Sequence, residues 1–323
     1  MNTTARRLLI AALAAGSAAA SAVHAQAVVT PGIAGVVAAG TPVEMVKDGF
    51  GGSEGPLPQE DGGLLFTENT AGRITRVASD GSVSVWMENS GGANALAVTP
   101  NGEIVATLTA GKQGIGVLAQ GAVTRMLVSE FQGAPFNRPN DLVAGRLGQI
   151  YFSDPASPGP PGAVPKKSAV YQLTAAGELL LIADDIERPN GVALSPDERK
   201  LYVANTAGEW IIAFDLDREG KVTGRARFAL LAMPAPVNAQ ATPRLASGAD
   251  GLAVDRSGRL YVATTIGIQV FSRRGEALGT IALPRQPQNL AFAGPKRSAL
   301  FVVGRGAVFR IPMQARGPRR AGK

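Results

Sequence analysis

The chain has 323 residues with no cysteine, 40 glycines, 22 prolines and 5% aromatic residues, a mixture that suits many short strands and turns around one sizeable core better than two medium domains. Without cysteine there is no disulfide, no thiolate nucleophile and no zinc–cysteine site. The formal charge is +7, but with no aromatic interleaving and no basic stripe the chain offers no nucleic-acid surface.

At the start, Arg6 and Arg7 precede an apolar, alanine-rich segment from Leu8 to about Val23, and Val23-His24-Ala25 has small residues at both cleavage-determining positions. Residues 1–25 therefore read as a secretory signal peptide, and predict a periplasmic or secreted protein beginning near Gln26 with no membrane anchor after cleavage. The segment is too short and too dilute in large side chains for an uncleaved anchor, while Arg6-Arg7 leaves Sec and twin-arginine export both open. Cleavage removes two of the 32 basic residues and none of the 25 acidic ones, leaving +5, and takes away His24, the only histidine. A mature chain with neither His nor Cys cannot build a Ser-His-Asp triad, a Cys-His pair or a His-ligated zinc site.

Residues 26–42 lack periodicity and predict an extended arm or linker. From 43 to 313 one pattern recurs: a polar residue, an apolar run, a turn, and a second apolar run, read as a β-hairpin. Pro189-Asn190-Gly191-Val192-Ala193-Leu194 leading to Leu201-Tyr202-Val203-Ala204 is the clearest copy. Six copies anchored at Glu54, Asn94, Asn140, Asn190, Asp250 and Asn289 are spaced by 40, 46, 50, 60 and 39 residues, the period of propeller blades. The predicted fold is all-β, a six-bladed β-propeller, with Val43–Val46 as a candidate strand to complete the last blade. Equivalent positions of successive blades surround the central channel, so six oxygen-bearing side chains are expected to converge on one axis.

Single residues within that set read in more than one way. Glu54, in Ser53-Glu54-Gly55-Pro56, is either a surface-loop acid or a channel carboxylate, and Asn94 either a turn residue or a channel residue. In Arg138-Pro139-Asn140-Asp141, proline fixes its own φ and favours extended geometry before it, presenting Asn140 at a defined angle. The proline-rich stretch 155–162 is expected as a loop at the channel rim, and 233–247 as a second long connection. Asp215-Leu216-Asp217-Arg218-Glu219-Gly220 lacks the later ligands of a calcium loop and reads as a hairpin turn. Residues 314–323 form a basic tail, read as solvated.

Two carboxylates and several amides supply oxygen ligands alone, which suits Ca²⁺ first, Mg²⁺ or Mn²⁺ next, and Zn²⁺ least. Taken together, Ser53-Glu54-Gly55-Pro56, Arg138-Pro139-Asn140-Asp141, the stretch from Pro189 to Asp197 and Asp250-Gly251-Leu252-Ala253-Val254-Asp255 resemble the SMP-30/gluconolactonase/LRE family of six-bladed propellers over roughly residues 45–312. The resemblance implies a divalent metal on the propeller axis held by Glu54, Asn190 and Asp250. It implies that Asn140 ligates the metal or holds its water and the substrate, that Arg138 contacts substrate, and that Asn94 and Asn289 line the pocket. Where family members commonly read Asn-Gly-Leu, this chain has Asn94-Ala95-Leu96. The implied activity is hydrolysis of a small-molecule sugar lactone, with the metal polarising the carbonyl and water attacking. Without a mature histidine the base is a carboxylate or metal-activated water, and Asp250 is the leading candidate. A phosphotriester hydrolase on the same metal site and a non-catalytic ligand-binding propeller are the alternatives.

Overall fold

A computed structural model of the chain describes residues 28–156, 167–235 and 246–318. The signal peptide and most of the two long connections, 155–162 and 233–247, therefore lie outside the described residues. Six four-stranded antiparallel sheets form the blades of a β-propeller. Their innermost strands are Glu54–Pro58, Ala93–Val98, Leu142–Ala144, Pro189–Leu194, Leu252–Val254 and Asn289–Ala293, numbered here as blades 1 to 6. Each packs beside the next, and blade 6 returns to blade 1.

Closure uses the start of the propeller. Glu44–Asp48 pairs antiparallel with Ala307–Pro312 and becomes the outermost strand of blade 6. A ring built this way leaves no blade short of a strand. Ion pairs from Arg310 to Glu44 (2.9 Å) and from Arg285 to Asp48 (2.5 Å) flank the joint.

The blades have no private cores. One apolar cluster combines Leu57, Leu65 and Ile74 of blade 1 with Leu96, Ala106 and Leu108 of blade 2, and another combines Leu64 and Phe66 of blade 1 with Phe301 and Val303 of blade 6. Burying such a side chain stabilises by about 1.5–3 kcal/mol, and here that gain is available only when neighbouring blades meet. Outermost strands such as Val83–Met87 and Ala122–Val128 are mostly exposed or half-buried.

Hairpin turns at the far ends of the innermost strands are closed by short polar side chains. Asp61 accepts from Gly63 N (2.8 Å), and Asp255 accepts from Ser257 N and Arg259 N. The stretch 215–220 runs from the end of strand Trp210–Leu216 into a turn, in which Asp217 Oδ1 accepts from Glu219 N and Lys221 N.

The stretch read as an extended arm folds against the blades instead. Val29 bridges Pro42 and Ile33 bridges Val37, and Ile33, Val36 and Val37 are buried among Tyr261, Phe292 and Phe309. Val36 O accepts from Gln314 N and Ala315 N, so the start of the basic tail is seated too, with Ala315 buried and Arg316 exposed. No helix among the described residues is long and apolar enough to cross a membrane.

Candidate active site

The polar residues that precede the apolar runs all stand at one end of the channel, where the innermost strands begin. Main-chain bonds fix their register: Asn140 N donates to Ser153 O (2.8 Å), Asp250 N to Ala263 O (2.9 Å) and Gln288 N to Val303 O (2.9 Å). In blade 6 the position equivalent to Asn140 and Asp250 is therefore held by Gln288, with Asn289 one residue further along the strand.

The following residue makes the joint to the next blade. A Cβ on Gly55 would stand 2.5 Å from Asn94 O, one on Gly191 2.1 Å from Asp250 O, and one on Gly251 2.1 Å from Asn289 Oδ1. Glycine is required there because neighbouring strands approach too closely for a side chain. Blades 3 and 6 carry side chains that reach across instead. Asp141, 1% exposed, accepts from Leu142 N (3.0 Å) and from Val192 N of blade 4 (2.9 Å). Asn289, 2% exposed, accepts from Leu290 N (2.9 Å) and donates through Nδ2 to Glu54 Oε2 of blade 1 (3.0 Å).

Hydroxyls in or just after the second strands lace the same ring. Thr67 Oγ1 donates to Asn94 O (2.8 Å), Thr107 Oγ1 to Asn140 O (2.8 Å) and Thr206 Oγ1 to Ala249 O (2.7 Å). Thr206 does one thing more. Its only proton goes to Ala249 O, so toward Asn190 it can only accept, which it does from Nδ2 at 3.2 Å. That turns the Asn190 amide so that its nitrogen is tied to the blade and its oxygen is available.

Exposure divides the expected site residues. Asn140, Asn190, Asp250 and Gln288 are half-buried and Arg138 is exposed, so these keep access to solvent. Glu54 is buried, with Oε2 accepting from Gly55 N (3.1 Å) and Asn289 Nδ2 (3.0 Å), and Oε1 from Gln288 Nε2 (3.5 Å). Asn94 is buried with both ends of its amide bonded within the protein, Oδ1 to Asn69 Nδ2 (2.8 Å) and Nδ2 to Asn140 O (3.0 Å). Asn94 and Asn289, expected from the sequence to line the pocket, thus brace the ring through these bonds. Asp154, buried and given no role by the sequence, accepts from Asn137 N (2.9 Å) and Arg138 N (2.7 Å) and seats the chain that carries Arg138.

The donor set fits a hard cation: two carboxylates and amide oxygens, with neither nitrogen nor sulfur ligands. Among the described residues no three His, Cys, Asp or Glu side chains cluster to hold a metal, so any ion at this ring depends on the asparagines as well as on Glu54 and Asp250. Bonds from Asn289 and Gln288 to Glu54 are the kind of support that orients a ligating carboxylate. Nearby, Glu68 carries the loop that leads into Glu54 by accepting from Gly51 N (2.9 Å). Burial raises the Glu68 carboxyl, but bonds from Arg73, Thr75 and Gly51 outweigh it and hold the group below the usual carboxylate range.

Similarity to known proteins follows the same residues. Residues 52–305 match the SMP-30/gluconolactonase/LRE-like region. A gluconolactonase of Zymomonas mobilis is 30% identical over 311 residues, covering 87% of this chain and 84% of that protein. A solved gluconolactonase of Xanthomonas campestris aligns with a TM-score of 0.74 at 29% identity, covering 90% and 98% of the two chains. A regucalcin from Agrobacterium tumefaciens, described as calcium-binding, shares the fold with a TM-score of 0.70 at 19% identity, covering 86% and 95%. The chain belongs to the SMP-30/gluconolactonase/LRE-like family.

Proposed function

We propose that the chain opens a five- or six-membered sugar lactone of the gluconolactone type, using a divalent cation, Ca²⁺ first, at the ring of strand starts. The family and its gluconolactonase and lactonohydrolase relatives support lactone hydrolysis. The observation that carries the metal reading is the donor set, in which Glu54, Asn140, Asn190 and Asp250 stand at the starts of innermost strands in four blades.

Glu54, Asn190 and Asp250 would hold the ion, with Asn140 beside it. Bound there, a divalent cation supplies polarisation of the lactone carbonyl and offsets the charge of the tetrahedral intermediate. The chain's own groups do the rest. Arg138 and Asn140 orient the sugar hydroxyls. Asp250 takes a proton from the attacking water as the water oxygen bonds to the carbonyl carbon. The ring C–O bond then breaks, and the proton on Asp250 passes to the departing oxygen, giving the open hydroxy acid.

Proton release across a panel of aldonolactones, with the spontaneous rate subtracted, tests the reading. Metal-loaded protein is expected to exceed the buffer blank and chelated protein to match it, and Asp250→Asn is expected to weaken Ca²⁺ binding while the blades stay folded. If metal-loaded protein matches the blank while a phosphotriester is turned over, the phosphotriesterase alternative replaces this one. Bound metal with neither substrate consumed leaves a binding module.

A further inference from the structure

A cavity of about 550 Å³ opens at the other end of the channel, beyond the far ends of the innermost strands of blades 3 to 6. That volume lies in the range of small-molecule pockets. Its room comes from small residues at equivalent strand positions. Three residues after the ring position, blades 4, 5 and 6 carry Ala193, Ala253 and Ala291, all lining the cavity, where blade 3 has Val143. Most of the other lining residues are apolar, but they also include Ser195, Arg256, Arg297 and Glu198.

Arg297 is the unusual member. It is half-buried, and its only hydrogen bond from the guanidinium among the described residues is Nη1 to Pro318 O (3.1 Å). It takes part in none of the ion pairs of the described residues, where ten other cations do. Burial pushes its pKa below the ordinary arginine value, with Glu60 acting weakly against that. A cation taken partly out of water without a counter-ion at ion-pair distance is destabilising.

The backbone that presents it is strained as well. Lys296 and Arg297 are consecutive non-glycine residues with φ of 57° and 52°, a conformation that persists where surrounding structure imposes it. The imposing bonds are Arg297 N to Gly294 O and Gly317 N to Arg297 O, both 2.9 Å. Glu198, the one acid of the wall, already accepts from Arg146 N at 2.8 Å. The wall is therefore net positive, with an apolar floor.

We propose that this cavity is a second binding site, separate from the strand-start mouth, for a small organic monocarboxylate with a compact apolar body. Arg297 takes the carboxylate through its planar fork of donors, Arg256 adds attraction at the rim, and the alanine positions receive the apolar part. The apolar floor disfavours a bare inorganic anion, and the unpaired guanidinium disfavours a neutral ligand.

Sodium benzoate, titrated calorimetrically into the purified full chain with and without chelator, tests the site. One saturable site indifferent to chelator is expected, with the neutral isostere benzyl alcohol and inorganic phosphate each about tenfold weaker or more. Arg297→Gln is expected to weaken benzoate by about tenfold, and Arg256→Gln, at an exposed position that does not threaten folding, by about twofold to threefold. Circular dichroism establishes that each variant is folded. Benzyl alcohol or phosphate binding as well as benzoate, folded variants both binding like wild type, or no benzoate binding at all would each overturn the proposal. Should Arg297→Gln fail to fold, Arg256→Gln and the two comparison ligands decide.

Discussion

Replacing Gly191 by alanine tests the joint between blades 4 and 5. The added Cβ would stand 2.1 Å from Asp250 O, 2.9 Å from Gly251 Cα and 3.0 Å from Asp250 C. These are main-chain atoms of the next innermost strand, and no flexible side chain can give way. Nor is that strand free to retreat, since Asp250 N is bonded to Ala263 O (2.9 Å) and Gly251 N to Gln288 O (2.7 Å). Overpacking of this kind costs about 1–3 kcal/mol, and the upper end is expected because backbone must move. At about 2–4 °C per kcal/mol for a domain of this size, the midpoint should fall by about 6–12 °C. Gly224 provides the contrast. It lies in an outermost strand, and its nearest neighbour would be the tip of the exposed Asp215 side chain at 3.1 Å. Gly224→Ala should leave the midpoint unchanged or raise it slightly, by restricting the unfolded chain. Thermal scans of both variants at one scan rate, with Ca²⁺ titrations, provide the measurement. Gly191→Ala melting and binding Ca²⁺ like wild type would refute the idea that this close approach seats Asp250.

Thr206→Val removes the acceptor that turns the Asn190 amide, so Ca²⁺ affinity should fall by about tenfold, within the range for groups that orient a metal ligand. Thr206→Ser should restore it, and equal affinity in the two variants would remove Thr206 from the support of the site. Burial pushes Tyr151, Tyr171 and Tyr202 up to about 12 and Tyr261 upward as well. Because the folded values lie above the unfolded value near 10, the neutral phenols contribute stability below pH 10 that is lost as pH rises toward 12. Phenolate absorbance should therefore stay absent through about pH 11 and appear with unfolding, and an ordinary titration near pH 10 with intact circular dichroism would contradict the buried placement. Export is tested by sequencing the N-terminus of protein from the native envelope: Gln26 is expected, and an intact Met1 on a cytoplasmic product would refute the signal peptide.

The blades were legible because each begins with a polar residue before an apolar run, and the closing strand because a ring leaves one edge to fill. Blade 6 shows where that reading reaches its limit. In Pro287-Gln288-Asn289-Leu290, two adjacent amides precede the apolar run, and only the bond from Gln288 N to Val303 O shows which is equivalent to Asn140. Asp141 belongs to the Arg138–Asp141 motif, but its task is not visible in the sequence, because the partner that explains it, Val192 N, is 51 residues away in another blade. The arm fails for a different reason. Ile33, Val36 and Val37 pack through an irregular loop, which leaves no period of 2 or 3.6 to detect.

How the site is assembled follows from where its bonds run. Glu54 is held by Asn289 and Gln288 of blade 6, Asp141 holds Val192 of blade 4, and Thr206 of blade 4 holds Ala249 beside Asp250. These supports cross from one blade to the next and add to the main-chain bonds that fix each ring residue within its own blade, so the side-chain geometry of the ring depends on neighbouring blades as well. Closure of the propeller by Glu44–Asp48 and formation of the candidate metal site are then one event, since the bond from Asn289 to Glu54 spans the same joint of first and last blades. Damage confined to an outermost strand should cost stability without moving the ring, whereas damage at any joint should alter metal affinity and stability together.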